Sequence, residues 1–225
     1  SYGYDATDTD LPAYIPYGES ETTYTAVDSI ARASATGNAS AISMLHETVL
    51  AIRPTYPNWL TEKRWGSHIG VSQYTNVVIP SQSIFDVERS ARLGFKILEL
   101  NVQVTSDGKF ITIHGSQGKF GSAVKLIDGT TDIQNTLIST VTLAYIEENV
   151  RYISDYEKYR TTIPTLEDML YECRVNGIVP LIQYQPGVIE IADAIMGRNN
   201  YVLSIYDQDR PKGFDGVCIS WLTLP

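Results

Sequence analysis

Five side chains could do chemistry together: His68, Glu99, Asn101, His114 and Gln183. Imidazoles can exchange protons with a reacting oxygen at neutral pH. A buried carboxylate needs a cation or several donors around it to stay charged. Far apart along the chain, these residues can act only if the fold brings them to one place.

The run Lys96-Ile97-Leu98-Glu99-Leu100-Asn101-Val102-Gln103-Val104 has strand alternation. It puts Leu98, Leu100, Val102 and Val104 on one face and Glu99, Asn101 and Gln103 on the other. In a half-exposed sheet the polar face would meet water. In a closed parallel barrel the aliphatic face meets helices and the polar face points inward. His68 ends a strand predicted over 65–70, His114 ends one over 110–114, and Gln183 lies near the end of one over 178–184. The carboxyl ends of barrel strands are where active sites are built. Burial of Glu99 is expected, because a carboxylate turned into a barrel needs donors or a cation around it.

Further strands are predicted over 96–104, 201–206 and 216–221, and helices over 82–93, 142–153, 165–176 and 187–198. Alternation of strand and helix argues for a parallel sheet with crossover helices. Ser81 or Ser83 caps the first of these helices and Gly94 closes it. Thr165, with Glu167 and Asp168 behind it, opens another, which Gly177 ends. Asp107-Gly108 reads as a tight turn. Residues 1–63 form a different region, a turn-rich tail followed by helical spacing over 24–53. The barrel domain is therefore placed at 64–225, and residues 24–53 are the expected oligomerisation surface.

The order of these pieces carries a resemblance. Gly66-Ser67-His68-Ile69-Gly70, the segment Ile79 to Gly115 and the segment Ile163 to Gln183 resemble the glycerophosphodiester phosphodiesterase family. The matching features are an opening histidine, a proline-led helix start, a Glu-Leu-Asn strand, an Asp-Gly turn, a strand ending in histidine and a Pro-Thr-Leu-Glu helix start. The resemblance implies a (β/α)8 TIM-barrel-like α/β fold, here shortened or incomplete behind an N-terminal helical extension. It also implies hydrolysis of glycerol-containing phosphodiesters with a divalent cation. On that reading His68 and His114 are the general acid–base pair, and Glu99, Asn101 and Gln183 sit at the metal positions. Gln185, Gly70 and Tyr184 are the expected substrate contacts.

Several positions depart from the family pattern. Ile69 replaces the arginine after the opening histidine, and Gly115 replaces the aspartate after the second. Asn101 and Gln183 replace metal carboxylates, and Gln185 replaces a lysine. Glu99 alone then gives the site one negative charge where three carboxylates would give three. Mg²⁺ relies on carboxylates, whereas Ca²⁺ accepts amide carbonyls, so Ca²⁺ is the expected cation if one binds at all. Pro80-Ser81-Gln82-Ser83 also lacks the family's glutamate. About 160 residues run from Trp65 to Pro225, against about 200–250 in a typical barrel of this kind.

Composition narrows the partners. The chain has 225 residues, with 17 Lys and Arg against 26 Asp and Glu, a formal charge of −9. That leaves no footprint for duplex nucleic acid. No apolar run approaches the ~18 residues of a membrane span, and no signal peptide is visible. Cys173 and Cys218 are the only cysteines, so a disulfide framework is excluded and two unbonded thiols are expected. The chain opens on Ser1 rather than Met, as expected of a processed chain or a piece of a longer one.

Two functions fit this reading. One is a phosphodiesterase acting on a glycerophosphodiester or a teichoic-acid-like wall polymer. The other is a catalytically degenerate barrel, serving as a glycan-binding or structural module of a phage tail or cell-surface assembly. Either suits an extracellular or virion-associated location.

Overall fold

A computed structural model of the chain describes residues 66–67, 79–205 and 210–220. The expected extension over 1–63, and with it the oligomerisation surface at 24–53, lies outside these residues. So do His68 and Gly70.

Among the described residues the central layer is a parallel sheet of five strands. Their ranges are β1 Gly66–Ser67, β2 Ile97–Leu100, β7 Val179–Gln183, β8 Val202–Ile205 and β9 Val217–Ser220, and they lie side by side in that order. Every pairing between them is parallel. The register sets Ile97 beside Val179 and aligns Glu99 with Leu181 and Val202. Those positions share the inner face, where Ile97, Val179, Leu181 and Val202 form a small apolar layer.

The outer face carries most of the packing. Leu98, Leu100, Ile182 and Leu203 are fully buried there against α1 (Ile84–Arg92), α3 (Leu166–Val175) and α4 (Val188–Ile195). Each helix begins where its sequence allows. Ser83 caps α1 by accepting from the Asp86 amide. Thr165 and Asp168 form a reciprocal capping box at α3, which satisfies two amides that the helix itself cannot. Helices outside a parallel sheet and a polar cluster on the inner side are the barrel arrangement. Among the described residues the sheet does not close. At its β9 edge Val217 and Ile219, inner-face residues, are 36% and 45% exposed. The architecture is an incomplete TIM-like barrel.

Leu203 has no exposed surface and sits in the middle of the outer layer. Truncating such a residue removes its transfer free energy and leaves a cavity. Leu203→Ala is expected to lower stability by about 3 kcal/mol, read as a shifted midpoint in urea unfolding with unchanged slope.

Two expectations need correction. The segment 110–114 is not a barrel strand. It forms β4 (Phe110–Thr112), which pairs antiparallel with β3 (Val102–Val104) away from the main sheet. The run 96–104 accordingly breaks at Asn101 into β2 and β3. The predicted helix over 142–153 stops at Asn149 as α2 (Leu143–Asn149), and Val150–Tyr152 becomes β6, paired antiparallel with β5 (Val124–Leu126). This hairpin region has its own core, built on Ile111, Ile113, Phe120, Ile138, Ile146 and Tyr152.

The cysteines are as expected. Both are free, Cys173 buried and Cys218 half-buried. Burial, and then the nearby Glu172 charge, pushes the Cys173 thiol well above its ordinary value, so it is an inert core residue.

Candidate functional site

The inner-face alternation turns Glu99 toward the barrel interior just before β2 leaves the sheet. Glu99 is 3% exposed and Asn101 7%. The Asn101 side-chain amide donates to Glu99 Oε1 over 3.4 Å. Its other end, Oδ1, is buried and finds no hydrogen-bond partner among the described residues. A buried amide oxygen without a donor is uncommon, because its desolvation goes uncompensated. Here it lies on the same asparagine that touches a buried carboxylate.

The hairpin brings His114 to this rim. The Ile113 amide donates to the Asn101 carbonyl at 3.0 Å, extending the β3–β4 ladder by one step. His114 is the next residue and is exposed. It therefore stands one residue beyond a direct backbone link to Asn101. On the other side, Leu181 pairs with Glu99, and Gln183 ends β7 two residues later on the same face, half-buried beside Ser204. Gln185 follows, also half-buried. Tyr184 points elsewhere, with its side chain packed against the helix-side core. Glu99, Asn101, the base of His114 and Gln183 thus share one rim. His68 directly follows β1, the strand paired with β2, but lies outside the described residues.

Gln82, within the Pro80-Ser81-Gln82-Ser83 helix start, is the hub beneath this rim. It is fully buried with a left-handed backbone, φ +64°, a conformation that costs a non-glycine residue about 1–2 kcal/mol. Its side-chain Nε2 donates to the Glu99 carbonyl at 2.9 Å, and its Oε1 accepts from the Asn101 amide at 2.8 Å. Its backbone amide donates to Asp86 Oδ2. Its carbonyl accepts from Thr112 Oγ1 at 3.3 Å and from the Tyr152 hydroxyl at 3.1 Å. The signal that could have exposed it is a polar residue directly before a capped helix, within a proline-led start.

Tyr152 ties the hairpin region to the site. Its hydroxyl is shared between the carbonyls of Gln82 and Thr112, and burial raises the group's pKa far above its ordinary value. Tyr152→Phe leaves the ring in place and removes the donor. A loss of about 1–2 kcal/mol is expected, measured by urea unfolding.

Gly115 explains one departure from the family pattern in steric terms. Its φ is +41°, and a Cβ there would stand 2.7 Å from the Lys119 carbonyl oxygen. The Ser116–Lys119 backbone pair closes this loop, so an acidic side chain could not be restored at Gly115 without rebuilding it.

The donor set can be tested against a divalent cation. Among the described residues no group of three or more His, Cys, Asp or Glu converges. What is present is one buried carboxylate, a buried amide oxygen lacking a donor and a nearby glutamine, all hard oxygen donors. They fit a cation that tolerates neutral oxygen, which means Ca²⁺ more readily than Mg²⁺.

A parallel sheet wrapped by helices, with polar groups gathered at the carboxyl ends of its strands, belongs to the barrel class whose sites form at that rim. The chain matches the Glycerophosphoryl diester phosphodiesterase family over residues 70–207 and belongs to it. Among solved structures it is similar to an Oleispira antarctica phosphodiesterase in complex with the product sn-glycerol-3-phosphate. That match has 17% identity and TM-score 0.51, covering 64% of this chain and 57% of the other. A glycerophosphodiester phosphodiesterase from Agrobacterium tumefaciens matches at 15% identity and TM-score 0.51, covering 64% and 58%. The chain therefore spans well under two thirds of the length of these structures. No curated protein matches it. Among the described residues no helix is long and apolar enough to cross a membrane.

Proposed function

We propose that the chain hydrolyses a glycerol-containing phosphodiester by acid–base chemistry between His68 and His114, at a rim whose weak cation site is Glu99, Asn101 and Gln183. The observation that carries this reading is the buried Asn101 Oδ1 without a donor, on the side chain that touches Glu99, one backbone link from His114.

A cation bound there would offset charge on the phosphoryl oxygens. The chain's own residues handle protons. One imidazole takes the proton from the attacking hydroxyl, of water or of the substrate's glycerol, as the new P–O bond forms. The other donates a proton to the departing oxygen as the old P–O bond breaks. Attack by the glycerol hydroxyl leaves a cyclic phosphate, and attack by water leaves a linear monoester. Gln185, which follows β7 at the rim, and Gly70 are assigned to holding the phosphodiester. A teichoic-acid-like wall polymer is one substrate of this chemistry, and it would place the chain outside a cell or on a virion.

A second reading is favoured by the scarcity of carboxylates. With Glu99 as the single acid among the proposed ligands, the barrel could bind a surface glycan without cleaving it, as a structural or adhesive module. Incubation with glycerophosphodiesters and a glycerol phosphate polymer, in Ca²⁺, Mg²⁺ or EDTA, separates the two. Turnover that exceeds a His68→Ala/His114→Ala control, and is greatest in Ca²⁺, supports hydrolysis. Polymer retention with no released product in any buffer supports the binding module and rejects hydrolysis.

A further inference from the structure

Where the strand carrying Glu99 leaves the sheet, the Glu99 carbonyl and the Asn101 amide are bonded to a side chain. Residues 96, 98 and 100 direct their backbone groups toward β7, as the Val179 amide bonded to the Lys96 carbonyl shows. Residues 97, 99 and 101 face the β1 side, where the last pair among the described residues is Ser67 opposite Leu98. The Glu99 carbonyl and the Asn101 amide therefore lie beyond the last β1 pair. The Gln82 carboxamide takes both, donating to one and accepting from the other. In a parallel ladder a single residue of the neighbouring strand makes that same pair of bonds.

We infer that Gln82 is a positioning residue for the cation site: its carboxamide makes the pair of backbone bonds a strand residue would make there and so fixes where the Glu99 and Asn101 side chains point. The inference rests on the cation site proposed above. Three features show that the placement is built in. The side chain is fully buried. Its amide is satisfied at both ends, so its orientation is determined by the bonds themselves. The left-handed backbone that aims it is held from three directions, by Asp86, Thr112 and Tyr152. Through the last two, the hairpin that carries His114 and the strand that carries Glu99 are tied to one residue. Gln82 touches neither substrate nor cation. It acts through the backbone of the two residues that would hold the cation.

The test uses the full chain with Ca²⁺ alone as the probe. Gln82→Gly keeps the left-handed backbone without strain and deletes the carboxamide. Gln82→Glu keeps the shape and the acceptor for the Asn101 amide but, when ionised, loses the donor to the Glu99 carbonyl. It serves if the glycine variant fails to fold. Calorimetry reads Ca²⁺ affinity, and amide hydrogen exchange by NMR reads the local backbone. The expected result is an affinity about 10–100-fold weaker in the variants, the range seen when groups that orient ligands are removed. Exchange should quicken at Asn101, while Leu98 and Leu100, which face β7, keep their protection. Unchanged affinity in folded variants overturns the inference and leaves the cation site standing. If the unsubstituted chain binds no Ca²⁺, the cation reading fails. The Asn101 exchange rate and side-chain amide resonances then decide the positioning role, which falls if both are unmoved by the substitutions.

Discussion

His114→Ala is expected to abolish phosphodiester turnover, by about 10²–10⁴-fold in kcat, the range for loss of one general acid or base. The side chain is exposed and belongs to none of the apolar clusters, so the substitution should leave the unfolding midpoint where it was. That separation makes the experiment clean, because a fall in rate without a fall in stability assigns chemistry to the imidazole. His114→Gln should not rescue, since an amide hydrogen-bonds but does not transfer protons near neutral pH. Product analysis adds a second reading. If a cyclic phosphate accumulates, the glycerol hydroxyl is the nucleophile; a linear monoester points to water. A variant with full activity removes His114 from the mechanism.

The second large effect is expected from Asn101→Asp, which restores a carboxylate where the family pattern has one. The Asn101 amide nitrogen now donates to Glu99 Oε1 at 3.4 Å. Replacing it with oxygen sets two acids against each other in a buried place. Two charges at that separation repel by about 5 kcal/mol at an effective dielectric near 20, so without metal the pair holds on to a proton and the fold is weakened. The sign with pH follows. The shared acid titrates higher in the folded chain than its unfolded value near ~3.9. The penalty is therefore absent below that pH and grows as pH rises toward the folded value. Divalent cation should reverse it. Metal-free melting should fall with rising pH, and added Ca²⁺ should restore the melting temperature, with affinity at least about tenfold above that of the unsubstituted chain. Melting that ignores Ca²⁺ in both proteins would show that the rim does not hold a cation.

Much of the site could be read from alternation alone. The two-residue period of 96–104 placed Glu99 on the face opposite Leu98 and Leu100, and that face proved to be the barrel interior. The capping residues Ser83 and Thr165 likewise announced their helices. The sheet's outlying strand was misread because the alternation in Phe110–His114 looks the same in a parallel strand and a hairpin. The turn at Asp107-Gly108 held the discriminating fact. Parallel neighbours need a crossover of a dozen residues or more, and five residues separate Val104 from Phe110. The role of Gln82 was not legible, because its partners are backbone groups 17 and 19 residues away and the hydroxyl of Tyr152, 70 residues away. No local period reports such distances. Gly115 was visible as a departure, but that its loop has no room for a side chain is a fact of three-dimensional packing.

Among the described residues the two larger apolar cores lie on the helix side of the parallel sheet and inside the hairpin region, joined near the rim by the bonds that Thr112 and Tyr152 donate to Gln82. Such a molecule need not come apart all at once. The smaller half can open as its own cooperative unit while the larger half persists, and that opening would carry His114 away from Glu99. On warming, catalytic competence should then vanish some degrees ahead of the loss of helical signal, and cooling should bring it back.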